Sequence, residues 1–271
     1  MKSEQMLRFA DDQALVVVER AVRTIGLSGG HDHELAVPAE RVIDVVGFPD
    51  QIWVAARDDV GGAVLRRFTR DGQPLGGAPL ALPSPLGRWV AGPQGACAAW
   101  QGAAPVIVSA APNLGLTPLT ERCDFVVPFS PARVVMARGL NAMLRTAGGI
   151  RWSTSVFAPS VHVEDGTFLY DASSIALVGA SGAGARSITV LTVRDGAVQQ
   201  RLSVASGASI QIAARRGHAL VQIGDRRLLL IDLRFARTVG QKKFLSLRAS
   251  SSGIKRMARY APQHASALPR R

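Results

Sequence analysis

Six times along this chain an apolar strand runs into a turn of Pro, Asp, Gly or Ser and returns as a second strand built from Ala, Val and Leu. The second strands centre on Leu15, Trp53, Cys97, Val134, Ala176 and Ala219, so the steps between them are 38, 44, 37, 42 and 43 residues. The fullest copy is SIQIAARRGHALVQIGDRRLLLIDLRFARTVG, residues 209–240, with turns at 215–217 and 224–226. A period near 40 residues constrains the fold more than any other feature of the sequence, because one supersecondary unit must recur and stack on itself.

Each unit extends to four strands. In the second, AVLRRFT and PLGGAPLAL flank Arg70, Asp71 and Gly72; in the fifth, ITVLTV and AVQQRLSV flank Arg194, Asp195 and Gly196. Asp-Gly between alternating apolar segments is a strong hairpin signal. The third and fourth units are weaker, their outer halves being short and interrupted by Gly and Pro. A four-stranded antiparallel sheet cannot bury both faces alone, whereas a ring of such sheets packed face to face can. Near-continuous runs such as ALVVV, IALV and LLLI fit that requirement better than strict alternation. The expected architecture is therefore all-β, a β-propeller of six blades of about 40 residues. A doubly wound α/β fold would need helical stretches between strands, and none precedes the C-terminal end. A β-sandwich or an irregular barrel is the remaining alternative.

The chain has 271 residues, 47% of them hydrophobic and 19% charged, which is incompatible with bulk disorder. Its net charge of +12 is unevenly placed. The last acid is Asp232, and ten Lys or Arg follow it, which leaves 22 basic against 20 acidic residues in the rest. The expected division is a propeller over 6–247 and a basic tail over 248–271. The tail is read three ways: a solvated end, a segment docking on an acidic protein through Lys255, Arg256 and Arg259 with Ile254 and Met257 as apolar anchors, or a contact to nucleic acid or an anionic surface. Tyr260 is its only aromatic residue, so base stacking is not indicated. No apolar run approaches the length of a membrane span. The acidic start MKSEQMLRFADDQ does not read as an export signal. Cys97 and Cys123 do not make a disulfide framework, and both are expected as buried free thiols in a cytoplasmic protein.

Two hairpins, GFPDQIWVAARD and PFSPARVVMARG, resemble the inner hairpin of WD-type propeller blades, where a strand runs into a Ser/Pro/Asp turn; the Gly-His and Trp-Asp dipeptides of that family are absent. More loosely, the degenerate blades are similar to the propeller components of bacterial ternary systems with MoxR-type AAA+ ATPases and von Willebrand A proteins. That resemblance implies a scaffold beside an ATPase.

Motifs for chemistry are sparse. VGASGAGARS, residues 178–187, spaces Gly179 and Gly184 like a phosphate loop, but Ala185 stands where that loop needs Lys and a strand follows in place of a helix. It reads as a flexible loop between the second and third strands of blade five. His31 and His33 sit in a Gly/Asp turn without a third metal ligand. His162, Glu164 and Asp165 read as a polar loop between blades. Glu40, Asp124 and His162 are the scattered acids and histidine available to a hydrolase- or lactonase-like enzyme at a propeller channel. No catalytic, cofactor or metal set is therefore assigned. In a ring of four-stranded blades, the loops joining second to third strands share one face with those joining successive blades. That face should carry Asp58, Asp59, Arg88, Trp89, Asn141, Arg186, Asp225, Arg226 and Arg227, a polar, Arg-rich set suited to protein recognition. Trp89 is there only if it sits on an exposed rim; the other reading is blade packing.

Overall fold

The computed structural model describes residues 6–243 except the connecting stretches 11–12, 19–20, 27–31, 36, 38–40, 49, 84–87, 93–96, 102–104, 111–113, 170–171, 205–207, 214–217, 224–226 and 233–236. Its strands fall into six antiparallel sheets of four. Blade one is β1 (Met6–Ala10), β2 (Gln13–Val18), β3 (Ala21–Gly26) and β4 (His33–Leu35). Blade two is β5 (Arg41–Gly47), β6 (Gln51–Arg57), β7 (Ala63–Thr69) and β8 (Leu80–Ala81). Blade three is β9 (Arg88–Ala91), β10 (Cys97–Gln101), β11 (Val106–Ser109) and β12 (Gly115–Pro118). Blade four is β13 (Phe125–Ser130), β14 (Arg133–Arg138), β15 (Asn141–Thr146) and β16 (Gly149–Ser155). Blade five is β17 (Val161–Leu169), β18 (Ser174–Ser181), β19 (Arg186–Thr192) and β20 (Val198–Val204). Blade six is β21 (Ala208–Ala213), β22 (His218–Ile223), β23 (Arg227–Asp232) and β24 (Arg237–Lys243).

Within every sheet the spatial order is the chain order. The first strands touch in succession, β1 to β5, β5 to β9, β9 to β13, β13 to β17 and β17 to β21, and β21 returns to β1. The result is a closed ring of six radial sheets, a β-propeller. All six residues that marked the sequence period lie on second strands: Leu15 on β2, Trp53 on β6, Cys97 on β10, Val134 on β14, Ala176 on β18 and Ala219 on β22. Blades three and four are as complete in strand number as the others, despite the Gly and Pro that interrupt them. Among the described strands none is shared between the first and last blades: those of blade one all precede β5, and those of blade six all follow β20. Pairing of residues 244–249 beside the N-terminal segment, and the whole tail, lie outside the described residues. Among the described residues no helix is long and apolar enough to cross a membrane.

Burial follows strand position. β6, β14 and β18 are buried along nearly their whole length, because both faces meet a neighbouring blade. The outer strands β16 and β20 are largely exposed or half-buried. The core is a set of inter-blade layers. Leu15, Val17 and Val22 of blade one pack on Val45, Ile52 and Val54 of blade two. Trp53, Trp89 and Trp100 fill the layer between blades two and three, with ring centroids 6.4 and 5.1 Å apart in edge-on geometry. Phe168 and Leu177 of blade five join Val127 and Val135 of blade four in one cluster that reaches Val90 of blade three.

Candidate functional site

In a four-stranded blade the strands alternate in direction, so the first strand starts on the face where second-to-third-strand turns and blade-to-blade connections gather. That face, the mouth of the ring, holds the candidate site. Its centre is built by two first strands with the same local design. In β5 the register slips between Val42 and Asp44, and in β17 between Val163 and Asp165. Each bulge leaves one extra residue, Ile43 or Glu164, and the carboxylate after it folds onto the N–H of the residue that follows. Asp44 Oδ1 accepts the Val45 N–H at 2.8 Å, and Asp165 Oδ1 accepts the Gly166 N–H at 2.9 Å. The second oxygen then reaches blade three in both cases. Asp44 Oδ2 accepts the Trp89 N–H at 3.0 Å, and Asp165 Oδ2 pairs with Arg88 Nη2 at 3.0 Å.

Arg88 therefore joins blade three to blade five past the first strand of blade four. Its Nη1 also donates to the Glu164 carbonyl at 2.6 Å. Glu164, on the bulge, takes Arg186 in a two-pronged contact: Nε to Oε2 at 2.6 Å and Nη2 to Oε1 at 3.0 Å. His162 Nε2 stands 3.7 Å from Oε1. The Arg186 bond holds the Glu164 carboxyl below its ordinary range against the opposing pull of burial, and the same bond raises Arg186. The mouth is thus crossed by a chain of alternating charge that is internally matched.

Around it lie more exposed groups. Asp58 Oδ1 accepts the N–H of Val60 at 3.2 Å and of Gly62 at 2.6 Å, closing the turn between β6 and β7. That turn presents Asp59 and holds Val60 at 90% exposure. The turn between β14 and β15 presents Leu140, 41% exposed, with Asn141 beside it. Glu121, in the connection from β12 to β13, pairs with Arg145 at 2.5 Å; burial is the largest influence and raises its carboxyl, but the bonds from Arg145, from its own backbone and from Thr120, with the Arg145 charge, together lower it. Cys123 is a half-buried free thiol, pushed up to about 11 by burial and by the nearby Asp124 and Glu121.

The structure redistributes the residues expected at this face. Asp58, Asp59 and Asn141 lie on it as the strand order requires. Arg88 and Arg186, 98 positions apart in the chain, meet through Glu164 and Asp165. Neither arginine is a free contact, since each is committed to a carboxylate. Trp89 is not on a rim: it is 3% exposed, because its indole faces blade two. His162, Glu164 and Asp165 are not a loop but the first half of β17. Residues 178–187 are not a flexible loop either: β18 continues to Ser181, a tight turn follows, and β19 begins at Arg186. Gly179 belongs to the packed strand, where a Cβ would stand 2.7 Å from Val161 Cγ1. Arg227 opens β23; Asp225, Arg226, Lys255, Arg256 and Arg259, with His31 and Glu40, lie outside the described residues. Asp124 accepts the Gly139 N–H at 2.7 Å. Among the described residues no three His, Cys, Asp or Glu side chains converge as metal ligands do.

Glu164, Asp165 and Asp44 carry the site, and none was expected in that role. A weak signal was present, Val-Ile-Asp-Val at 42–45 and Val-Glu-Asp-Gly at 163–166, the same Val-x-Asp at the same place in two units.

No family model matches the chain, and no curated protein matches it. Solved structures do. The β-propeller domain of Cps50 (Swd1) from Myceliophteria thermophila is 9% identical with a TM-score of 0.64, over 90% of this chain and 87% of that one. Hsv2 from Kluyveromyces lactis with its complete loop 6CD is 12% identical with a TM-score of 0.57, over 90% of this chain and 83% of that one. Hsv2 with that loop replaced by a Gly-Ser linker gives 13% and 0.59, over 90% and 82%. Likeness at this level of identity speaks to architecture alone, and it agrees with the ring of blades: this chain is a β-propeller.

Proposed function

We propose that this propeller is a non-enzymatic interaction scaffold whose mouth face binds a protein partner. One observation carries the reading. The charged groups at the mouth are matched to one another and hold the face rigid, while Asp59, Val60, Leu140 and Asn141 stand out from it on tight turns. A rigid platform that presents mixed polar and apolar side chains on short turns suits recognition of a folded protein. Arg226 and Arg227 complete the face in this reading. The propeller takes residues 6–247, and the basic tail, 248–271, supplies a second contact to an acidic partner. The partnership with a MoxR-type AAA+ ATPase or a von Willebrand A protein, implied by the blade resemblance, draws no support from the solved relatives. Placement in the cytoplasm is part of the same proposal.

The test is recovery of partners from the native cell with the wild type and with Asp59→Lys/Val60→Asp/Asn141→Arg. These positions are exposed and leave the ion-paired mouth intact. Loss of a co-purifying protein from the triple variant, with the melting curve unchanged, supports the reading. Identical recovery from both removes this face.

A further inference from the structure

The outer edges of the six blades differ systematically. β4, β8 and β12 are 3, 2 and 4 residues long. Pro79 precedes β8, Pro83 follows it, and Pro118 ends β12. Shortness and proline are how natural sheets deny their edges to other strands. β16, β20 and β24 instead run 7 residues each, without proline. Each has one irregularity near its start, at Arg151, Gln199 and Val239, which blunts only that end. On β20 the ladder is regular from Gln200 to Val204, paired on its inner side with β19. Among the described strands β19 alone packs extensively against β20, which ends its sheet.

The charge of this rim is one-sided. β15, β16, β19 and β20 contain no Asp or Glu. Arg151 on β16, Arg194 in the turn before β20 and Arg201 on β20 are exposed. The one carboxylate in the outer hairpins of blades four and five, Asp195, is held by the Thr192 hydroxyl and the Ala197 N–H. Val198, 40% exposed, stands at the start of β20.

We propose that the outer edge of β20 takes an extended acidic segment of a partner protein as a fifth strand of blade five. Main-chain donors and acceptors on the open side of residues 200–204 supply affinity, and Arg201 selects carboxylates. A nucleic acid would leave the main-chain edge unpaired and, among the described residues of these outer hairpins, would find no exposed ring to stack on, since Trp152 is half-buried with its indole N–H on the Val193 carbonyl. This surface is the rim of the ring, separate from the mouth, so the two proposals stand or fall independently.

The probe is a fluorescein-labelled nonapeptide of alternating Glu and Val, followed by fluorescence anisotropy against the full chain at about 50 mM salt. Saturable binding is expected, weakened about tenfold by Arg201→Glu and about as much by a peptide whose valines are replaced by proline. Asp59→Lys/Val60→Asp should leave it unchanged. Arg201→Ser, the milder change, should fall between, and it decides the case if Arg201→Glu does not fold. No saturation by about 1 mM overturns the proposal, as does equal affinity of the Arg201 variants or of the proline peptide. Displacement of the peptide by an oligothymidylate of equal length would also overturn it, in favour of an anion surface.

Discussion

The Trp152 ring occupies the place where a side chain on Gly196 would stand: a Cβ built there lies 2.6 Å from Trp152 Cε3 and 2.7 Å from Thr154 Oγ1. Trp152 belongs to the outer strand of blade four, and Gly196 to the last turn of blade five. The indole N–H reaches on to the Val193 carbonyl at 2.9 Å, so the contact pins two neighbouring blades at their periphery. Gly196 also has φ +74°, which side-chain-bearing residues rarely adopt. Backbone strain and overlap act together here, and Gly196→Ala should destabilise the protein by about 2–4 kcal/mol. Gly139 is the control. It shares a positive φ of +53°, but a Cβ there meets nothing within 4 Å, so Gly139→Ala should cost about 1 kcal/mol. Denaturant melts of both variants against wild type check this. Equal losses would show that the Trp152 contact yields freely.

The same pair shows what the sequence could convey. Asp195–Gly196 was legible as a turn because the dipeptide has local chemistry, and Thr192 does accept the Ala197 N–H at 3.1 Å there. That Trp152 would lie over this turn was not legible, because the contact joins blades across a span that no local rule covers. The period was legible for a related reason. The second strands β6, β14 and β18 are buried on both faces, so each carries the same kind of apolar run. First strands differ, since their ends face whatever the ring brings to the mouth. Arg88 and Asp165 are 77 positions apart and belong to blades that are not neighbours. Spacing alone therefore suggested an exposed arginine and an idle acidic loop, although the two form one ion pair.

The Glu164–Arg186 pair should be a measurable part of stability with a defined pH range. Its groups are about a quarter exposed, so solvent screening is moderate. Arg186→Ala leaves the Glu164 carboxylate without its two-pronged partner and should cost about 2 kcal/mol near neutral pH. Glu164 has its carboxyl lowered in the folded protein from an ordinary value of 4.5. Its ionised form therefore stabilises the fold above that value, and the contribution fades as pH falls through the lower, folded value. The difference between wild type and Glu164→Gln should be constant from neutral pH to about 5 and shrink below it. A difference that instead grows on acidification would mean that Glu164 is not ionised in the fold.

Cys123 offers a kinetic check on the layer between blades three and four. With its thiol pushed up to about 11, about one molecule in a thousand is thiolate at pH 8. A free thiol near 8.5 would be about one quarter thiolate, so alkylation of Cys123 by iodoacetamide should be slower by about two orders of magnitude in the folded protein. Peptide mass spectrometry, with and without denaturant, gives the ratio. Removing Asp124 and Glu121 charges should recover little of it, because burial is the larger cause.

Asp44 tests whether the repeated bulge is a structural device or a coincidence of two strands. Its side chain is buried at 1% exposure, and its two oxygens accept the N–H groups of Val45 and Trp89, one on its own strand and one on the next blade. Asp44→Ala strands two buried backbone donors and should destabilise by about 2–5 kcal/mol. Asp44→Asn keeps the shape and can still accept one bond through its amide oxygen, but its NH2 now faces the second donor. It should therefore lose about half as much as the alanine variant, and asparagine should leave the Trp53–Trp89–Trp100 packing in place. Near-ultraviolet circular dichroism reports those indoles directly. If Asp44→Ala melts like wild type with an unchanged tryptophan signal, the blade two to blade three link rests on ring packing alone, and the matching Asp165–Arg88 link across the mouth loses its rationale as a second copy of the same joint.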